Sequence, residues 1–267
     1  MNPFTPVPPP PGAPFVIAHR GLSGKAPENT LASFSLAVAT PGIAMIELDV
    51  RLSKDERVIV LHDRTLQRTT TGNGRARDYA FDELRLLDAG SWFDPRYHAE
   101  RIPLLSEILQ LARGRCWLNI ELKSSLLFRE PKELLEQRVL DVVDEAGMAD
   151  QVLYSSFDHG LMRTLKRIRP SAHTGVIYNL YRDLARAPSA LAERAGASVF
   201  VCAKHELKPW MVADVHRRGI ALYVYTLNSV ADLAKIISLG IDGIISDNAD
   251  ELVGVLAPRP GARAGGR

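Results

Sequence analysis

Residues 45–63 read MIELDVRLSKDERVIVLHD. Ile46, Leu48 and Val50 alternate with Glu47, Asp49 and Arg51, the period of a β-strand with two unlike faces. A second strand-like run, RVIVLHD, follows after SKDE, a spacer too short for a parallel crossover, so the two runs form a hairpin. With the turn centred on Lys54–Asp55, antiparallel pairing sets His62 opposite Glu47 and Leu48. Glu47, Asp49 and His62 then cluster through local structure alone. The polar face of the first run has two readings: an exposed sheet edge, or a pair of carboxylates directed into a site.

Working outward, seven more strand-like runs appear: FVIAHRG (15–21), CWLNIELK (116–123), VLYSSF (152–157), HTGVIYN (173–179), SVFVCA (198–203), ALYVYTLN (221–228) and DGIISD (242–247). Most are separated by helical patterns such as TLASFSLAVA, KELLEQRVLDVVDEAG and VADLAKIISLG, several of which stop at Gly just before the next strand. Regular strand–helix alternation predicts a parallel sheet with crossover helices. Setting aside the hairpin return at 57–63 leaves eight strands, the number of a TIM (β/α)8 barrel. The alternative, an open doubly wound sheet, would carry a Gly-rich phosphate loop after its first strand, and none is present. The expected organisation is a Pro-rich N-terminal tail over 1–14, one α/β barrel domain over 15–256 with an insertion at about 64–115, and a basic tail over 257–267.

The totals are those of an ordinary globular chain: 267 residues, 46% hydrophobic and 24% charged. No apolar run is long enough to cross a bilayer, so no stable membrane anchor is expected. The formal net charge of +2 owes part of its excess to the tail APRPGARAGGR, which argues against nucleic acid as a partner. Cys116 and Cys202 each sit in an apolar run outside any metal spacing and read as buried free thiols. The first residues show no signal peptide, so the expected location is cytoplasmic. Oligomeric state is not legible.

The inversion in the opening stretch recurs in WLNIELK, where Asn119, Glu121 and Lys123 alternate with Leu118, Ile120 and Leu122. Polar residues inside a barrel are tolerable only near its mouth, where water, metal or ligand satisfies them. FVIAHRG ends with His19 and Arg20 at the same end. Each residue has a plainer reading: Glu121 with Lys123 as an internal ion pair, a lone His as a structural hydrogen-bonder. Their coincidence at matching strand positions favours a site. Three carboxylates without a thiolate make a hard oxygen set suited to Mg²⁺ or Ca²⁺. Arg20 and Lys123 beside it make an anion seat fitted to phosphate. His19 and His62 titrate in the range of a general acid and base. Metal, phosphate seat and acid/base pair together describe phosphodiester cleavage.

The chain also resembles a known family, the glycerophosphodiester phosphodiesterases, from about residue 15 to 250. The likeness rests on AHRG (18–21), PENT (27–30), IELDV (46–50), LHDRTLQRTTTGNG (61–74), NIELK (119–123), YTLN (225–228) and GIDGIISD (240–247). The resemblance implies a barrel enzyme hydrolysing small glycerophosphodiesters to glycerol 3-phosphate and an alcohol. It implies Glu47, Asp49 and Glu121 as metal ligands, His19 and His62 as the acid/base pair, and Arg20 and Lys123 as phosphate contacts. The chain departs from the family at Tyr225, where Trp is usual, at Lys25 before PENT, and at Ser246 in SD where TD is common. Tyr225 and Phe157 are candidates to wall the glycerol pocket, and His205, which follows a strand, is a further candidate for touching substrate. Two rival activities are a related lysophospholipase D-type phosphodiesterase, for which SSLLF (124–128) is the candidate apolar lip, and a phosphate-binding barrel without catalysis.

Overall fold

The computed structural model describes residues 14–123, 133–184 and 186–256. The expected tails, apart from Pro14, and the SSLLF segment lie outside the described residues. The strands are β1 (Phe15–His19), β2 (Met45–Leu52), β3 (Val58–Val60), β4 (Trp117–Leu122), β5 (Val152–Ser156), β6 (His173–Ile177), β7 (Val199–Ala203), β8 (Ala221–Tyr225) and β9 (Gly243–Ser246). All but β3 run parallel, and β1 pairs with both β2 and β9, so eight strands close into a ring. This is an α/β TIM barrel.

Helices α1 (Leu31–Ala39), α2 (Phe81–Leu84), α3 (Leu105–Ala112), α4 (Leu134–Glu145), α5 (His159–Ile168), α6 (Leu180–Asp183), α7 (Pro188–Ala195), α8 (Pro209–His216), α9 (Val230–Ile237) and α10 (Ala249–Leu256) complete the chain. Their starts follow local chemistry. Asp158 caps α5 by accepting from the Gly160 amide at 2.8 Å, and Pro188 and Pro209 open α7 and α8, where a missing N–H leaves no bond unmade. Gly196 ends α7 at φ +67°, a left-handed turn that glycine enters without strain.

The hairpin is antiparallel as expected, with its turn centred half a residue further on. Leu52 faces Val58 and Val50 faces Val60, which centres the turn on Asp55 and extrapolates His62 to Leu48. Val50 also pairs with Leu122 of β4. A strand has two edges, so β3 must lie on the edge that β1 occupies lower down, continuing the line of β1 above its end. The segment expected as one insertion over 64–115 is two different things. Residues 64–103 form a cap with its own small core, including Leu66, Leu84 and Ile102. By contrast, α3 packs against α1 and α4 and holds the crossover place before β4. Its apolar spacing is that of any barrel helix; only the long gap before it made it look inserted.

Two apolar layers fix which way each strand faces. Ile46, Leu48, Val50, Leu118, Ile120 and Leu122 pack outward beneath the helices. Ile17, Met45, Leu153, Val201, Tyr223 and Ile245 fill the barrel's lower interior. Glu47, Asp49, Asn119 and Glu121 continue the inner face upward, and all four are buried. Turning β2 over would strip three aliphatic side chains of their cover, at roughly 2 kcal/mol each. It would also press two carboxylates against apolar helices, at several kcal/mol more. The edge-strand reading of Glu47 and Asp49 is therefore excluded.

Candidate active site

Parallel pairing brings the carboxylates together. Glu47 lies beside His19 in β1 and Asn119 in β4, and Asp49 lies beside Glu121. One oxygen from each of Glu47, Asp49 and Glu121 lies within 4.8 Å of the other two. Burial pushes Glu47 up to about 8, and the nearby Asp49 charge pushes the same way. Burial raises Glu121 as well, although Lys123 opposes it. Asp49 is held low: burial works against its charge, but Lys123 and Arg20 outweigh it. Lys123 Nζ stands 2.5 Å from Glu121 Oε1 and 2.8 Å from Asp49 Oδ1. Even so, Asp49 Oδ1 is buried without a well-formed hydrogen bond. Three crowded, dehydrated carboxylates fit a hard divalent cation, which would remove their mutual repulsion.

Both histidines are backed by a carboxylate. His19 Nδ1 donates to Asp247 Oδ1 at 2.6 Å, while its Nε2 lies 3.8 Å from Glu47. Asp247 is itself held by Ser23 Oγ at 2.9 Å and Asn228 Nδ2 at 2.5 Å. Burial alone would lower the pKa of His19, but the Asp247 bond and the Glu47 charge raise it overall. His62 Nδ1 donates to Asp63 Oδ1 at 2.6 Å, and Arg68 Nε grips the other Asp63 oxygen at 2.6 Å. The pKa of His62 is lowered by burial, with Lys123 and Arg20 adding to the effect. In both rings Nδ1 is committed, so Nε2 is the atom available to exchange a proton.

The turn after β1 builds the cationic side. Arg20 has φ +55°, and its backbone N–H donates to Glu47 Oε2 at 3.1 Å. Gly21 follows at φ +81°, where a Cβ would sit 2.5 Å from Ser33 Oγ, so only glycine fits. The PENT residues hold this turn in place. Glu28 accepts from Arg20 Nη1 at 2.8 Å and from Arg68, and Asn29 Nδ2 donates to Asp49 Oδ2 at 2.8 Å. Arg20 Nε, buried and without a hydrogen bond, points at Asp49 from 3.2 Å.

These groups line one cavity of about 170 Å³ at the C-terminal mouth of the barrel. His19, Arg20, Glu47, His62, Glu121 and Lys123 form one side, and Phe157, Ile177, Val201, Tyr225 and Ile245 the other. Phe157 meets Tyr225 edge to face with centroids 6.3 Å apart, and Lys123 Nζ lies 5.9 Å from the Phe157 centroid. The Tyr225–Thr226 peptide is cis.

His19, Arg20, Glu47, His62, Glu121, Lys123, Phe157 and Tyr225 thus reach this cavity, whereas Asp49 is not part of its lining and is bonded to Asn29. Lys25 points away, 3.2 Å from Glu251, and His205 is exposed outside the cavity. Sequence reasoning missed Asp247, Asn228, Asp63, Arg68 and Asn119. All five lie in motifs it had already quoted (GIDGIISD, YTLN, LHDRTLQRTTTGNG and NIELK); for Asp247 and Asn228 the missing signal was which strand end meets which, and only barrel closure supplies that.

Comparison with known proteins points the same way. The sequence profile of the glycerophosphoryl diester phosphodiesterase family matches residues 19–251. A glycerophosphodiester phosphodiesterase of Caldanaerobacter subterraneus subsp. tengcongensis is 34% identical over 243 residues, covering 91% of this chain and 97% of that one. The structure of an Oleispira antarctica phosphodiesterase in complex with the product sn-glycerol-3-phosphate superposes with a TM-score of 0.83 at 31% identity, covering 91% of this chain and 96% of that one. A glycerophosphodiester phosphodiesterase from Agrobacterium tumefaciens matches with a TM-score of 0.78 at 31% identity, covering 91% and 100%.

Proposed function

The chain belongs to the glycerophosphoryl diester phosphodiesterase family and is a phosphoric diester hydrolase, and on that footing we propose that it cleaves small glycerophosphodiesters to sn-glycerol 3-phosphate and an alcohol by paired-histidine catalysis at a cation held by Glu47, Asp49 and Glu121. The observation that carries this reading is the pair of carboxylate-backed imidazoles lining one cavity beside a cluster of three crowded carboxylates.

Mg²⁺ or Ca²⁺ suits the all-oxygen donor set, and when bound it supplies Lewis-acid polarisation of a phosphate oxygen. The remaining chemistry belongs to the chain. Arg20 and Lys123 flank the carboxylates and meet the phosphate's negative charge, which grows in the transition state. One histidine takes a proton from the nucleophile at Nε2, and the other returns one to the departing alcohol oxygen. Asp247 and Asp63 hold the two rings in the tautomer that leaves Nε2 free for this exchange. Phe157, Tyr225, Ile177 and Val201 offer an apolar wall for the glycerol carbons and keep water from that side. The proposed substrates include glycerophosphocholine and glycerophosphoethanolamine. Among the described residues no helix is long and apolar enough to cross a membrane.

The test is release of glycerol 3-phosphate from glycerophosphocholine with and without EDTA, in the native chain and in His19→Ala and His62→Ala. Turnover that needs the divalent ion and both histidines supports the reading. A variant of either histidine with near-native turnover sinks the assignment.

A further inference from the structure

On the side of its apolar wall, the catalytic mouth carries exposed apolar side chains. Leu180, Tyr181, Leu184, Trp210 and Val230 stand exposed in the connections that follow β6, β7 and β8. Tyr181 is 97% exposed, Leu184 71% and Trp210 55%. Elsewhere in the described barrel such residues stand singly, Leu36 on α1 and Val255 on α10. The other two, Leu86 and Trp92, belong to the cap, which lies across the mouth because β7 stands opposite β2 in the ring. Connections of this kind all lie at the C-terminal end of a barrel, and a cluster of large apolar side chains on one open face marks an interaction surface. Arg186 and Lys208 are exposed beside them, and neither side chain has a partner among the described residues. From this arrangement we infer that the β6–β8 side of the mouth docks the protein on an anionic lipid surface.

Polar contacts join the three connections into one surface. Glu206, after β7, accepts from the Leu180 N–H at 3.2 Å and from the Ala203 N–H at 3.1 Å. Lys204 Nζ reaches Asp232 of α9 at 2.7 Å, just past Val230. Arg182 Nη2 donates to the carbonyl of Phe157, which ties α6 to the cavity wall. The same contacts engage the acidic groups. Glu206 is held by two backbone amides, Asp232 by Lys204, and Asp183 is buried and accepts from the Asn179 N–H at 3.0 Å. Arg186 and Lys208 are left without counterions there, so the surface offers unpaired positive charge to an anionic partner. Tyr and Trp rings, with one polar tip each, suit the headgroup layer of a bilayer; Leu suits the acyl boundary, and Arg and Lys suit anionic headgroups. The five side chains rise from three separate turns, an arrangement that a deformable lipid surface accepts without a matching shape.

Vesicle binding is read without turnover, so this inference stands or falls apart from the phosphodiesterase reading. The full chain is sedimented with vesicles of phosphatidylcholine alone and of phosphatidylcholine mixed with phosphatidylglycerol. Affinity for the anionic vesicles is expected to exceed that for the neutral ones by at least about fivefold, roughly the effect of one surface cation. Leu184→Ser combined with Trp210→Ser should weaken binding about tenfold or more, and Arg186→Gln and Lys208→Gln about fivefold each. Tryptophan emission should shift to the blue on binding, and the shift should vanish in Trp210→Phe. None of these residues lines the catalytic cavity, so turnover of glycerophosphocholine without vesicles should stay near native in every variant, which also reports that the variants fold. No binding to anionic vesicles, equal binding to both kinds, or binding unchanged in the Leu184/Trp210 double variant overturns the inference and leaves the phosphodiesterase reading standing. A dimer of the native chain in lipid-free sedimentation velocity that the same double variant dissociates assigns the patch to a second copy, and the lipid inference falls. Anionic vesicle binding that needs Leu184 and Trp210, in a native chain without turnover, supports the inference and takes down the phosphodiesterase reading alone.

Discussion

Replacing Asp247 by Asn keeps the shape of the side chain and removes its charge. In the native site His19 Nδ1 donates to Asp247 Oδ1 across 2.6 Å, and Asn228 and Ser23 hold the carboxylate in place. A hydrogen bond to a charged group contributes about 1.5–3 kcal/mol, against about 1 for a neutral one. If that difference, about 0.5–2 kcal/mol, is expressed when His19 changes charge, kcat falls roughly 2- to 30-fold. Asp247 does not line the cavity, so KM should stay within about twofold, in line with an effect exerted only through His19. The pH–rate limb set by His19 should also move to lower pH, because the Asp247 bond is a main influence raising its pKa. Stability offers an independent reading. Asp247 is held near 2 against an ordinary 3.8, despite burial, by its bonds to His19, Asn228 and Ser23. A depressed carboxyl stabilises above its unfolded pKa and ceases to as pH falls through the folded one. About a third of the side chain is exposed, so screening leaves roughly 1–2 kcal/mol, or about 2–6 °C in Tm at neutral pH. The native and variant melting curves should converge as pH falls from about 4 toward 2. An Asp247→Asn enzyme with kcat/KM within threefold of native and an unmoved pH profile would refute the reasoning.

Asp63→Asn should lower kcat about 2- to 30-fold by the same logic, and Arg68→Ala, acting one step further out and nearly half exposed, should cost less than Asp63→Asn and no more than about threefold; steady-state kinetics rank them. Glu47 is raised to about 8 from 4.5, so the metal-free protein should lose stability as pH rises from about 4.5 to 8, since the folded state there binds more protons than the unfolded one. Calorimetry across that window should show the slope flattened by saturating Mg²⁺ or Ca²⁺ and in Glu47→Gln, which should lose turnover while melting no lower than native without metal. Phe157→Ala and Tyr225→Ala each remove apolar wall, and each should raise KM for glycerophosphodiesters about 5- to 30-fold, as for roughly 1–2 kcal/mol of lost contact, with kcat changed less.

The fold was largely legible because its signals are local. Strand period, helix stops and the short SKDE spacer settle the eight-strand count without any long-range knowledge. The polar inner face of β2 and β4 was legible for the same reason, since one alternation repeated at two strands points to one end of a barrel. Three matters escaped. The α3 helix was absorbed into the insertion, because amphipathicity says that a helix is buried and not against what. Asp247 passed as the close of a strand, because its partner stands 228 residues away and no periodicity spans that distance. Arg51 was left on the polar face without a role; its clamp on the His62 carbonyl depends on the hairpin register, which the turn residues alone placed half a residue off.

The pairing of β1 with β9 closes the ring, and it also sets the moment at which the site becomes whole during synthesis. A growing chain that has emerged through β8 already holds both histidines, all three carboxylates, Arg20 and Lys123, yet His19 has no Asp247 and the first strand has one bare edge. A domain folds as a unit while the chain leaves the ribosome at about 5–20 residues per second, so every shorter nascent chain lacks both the closing strand and the carboxylate behind His19. The last strand supplies both at once, and hydrolytic competence arrives with the seam.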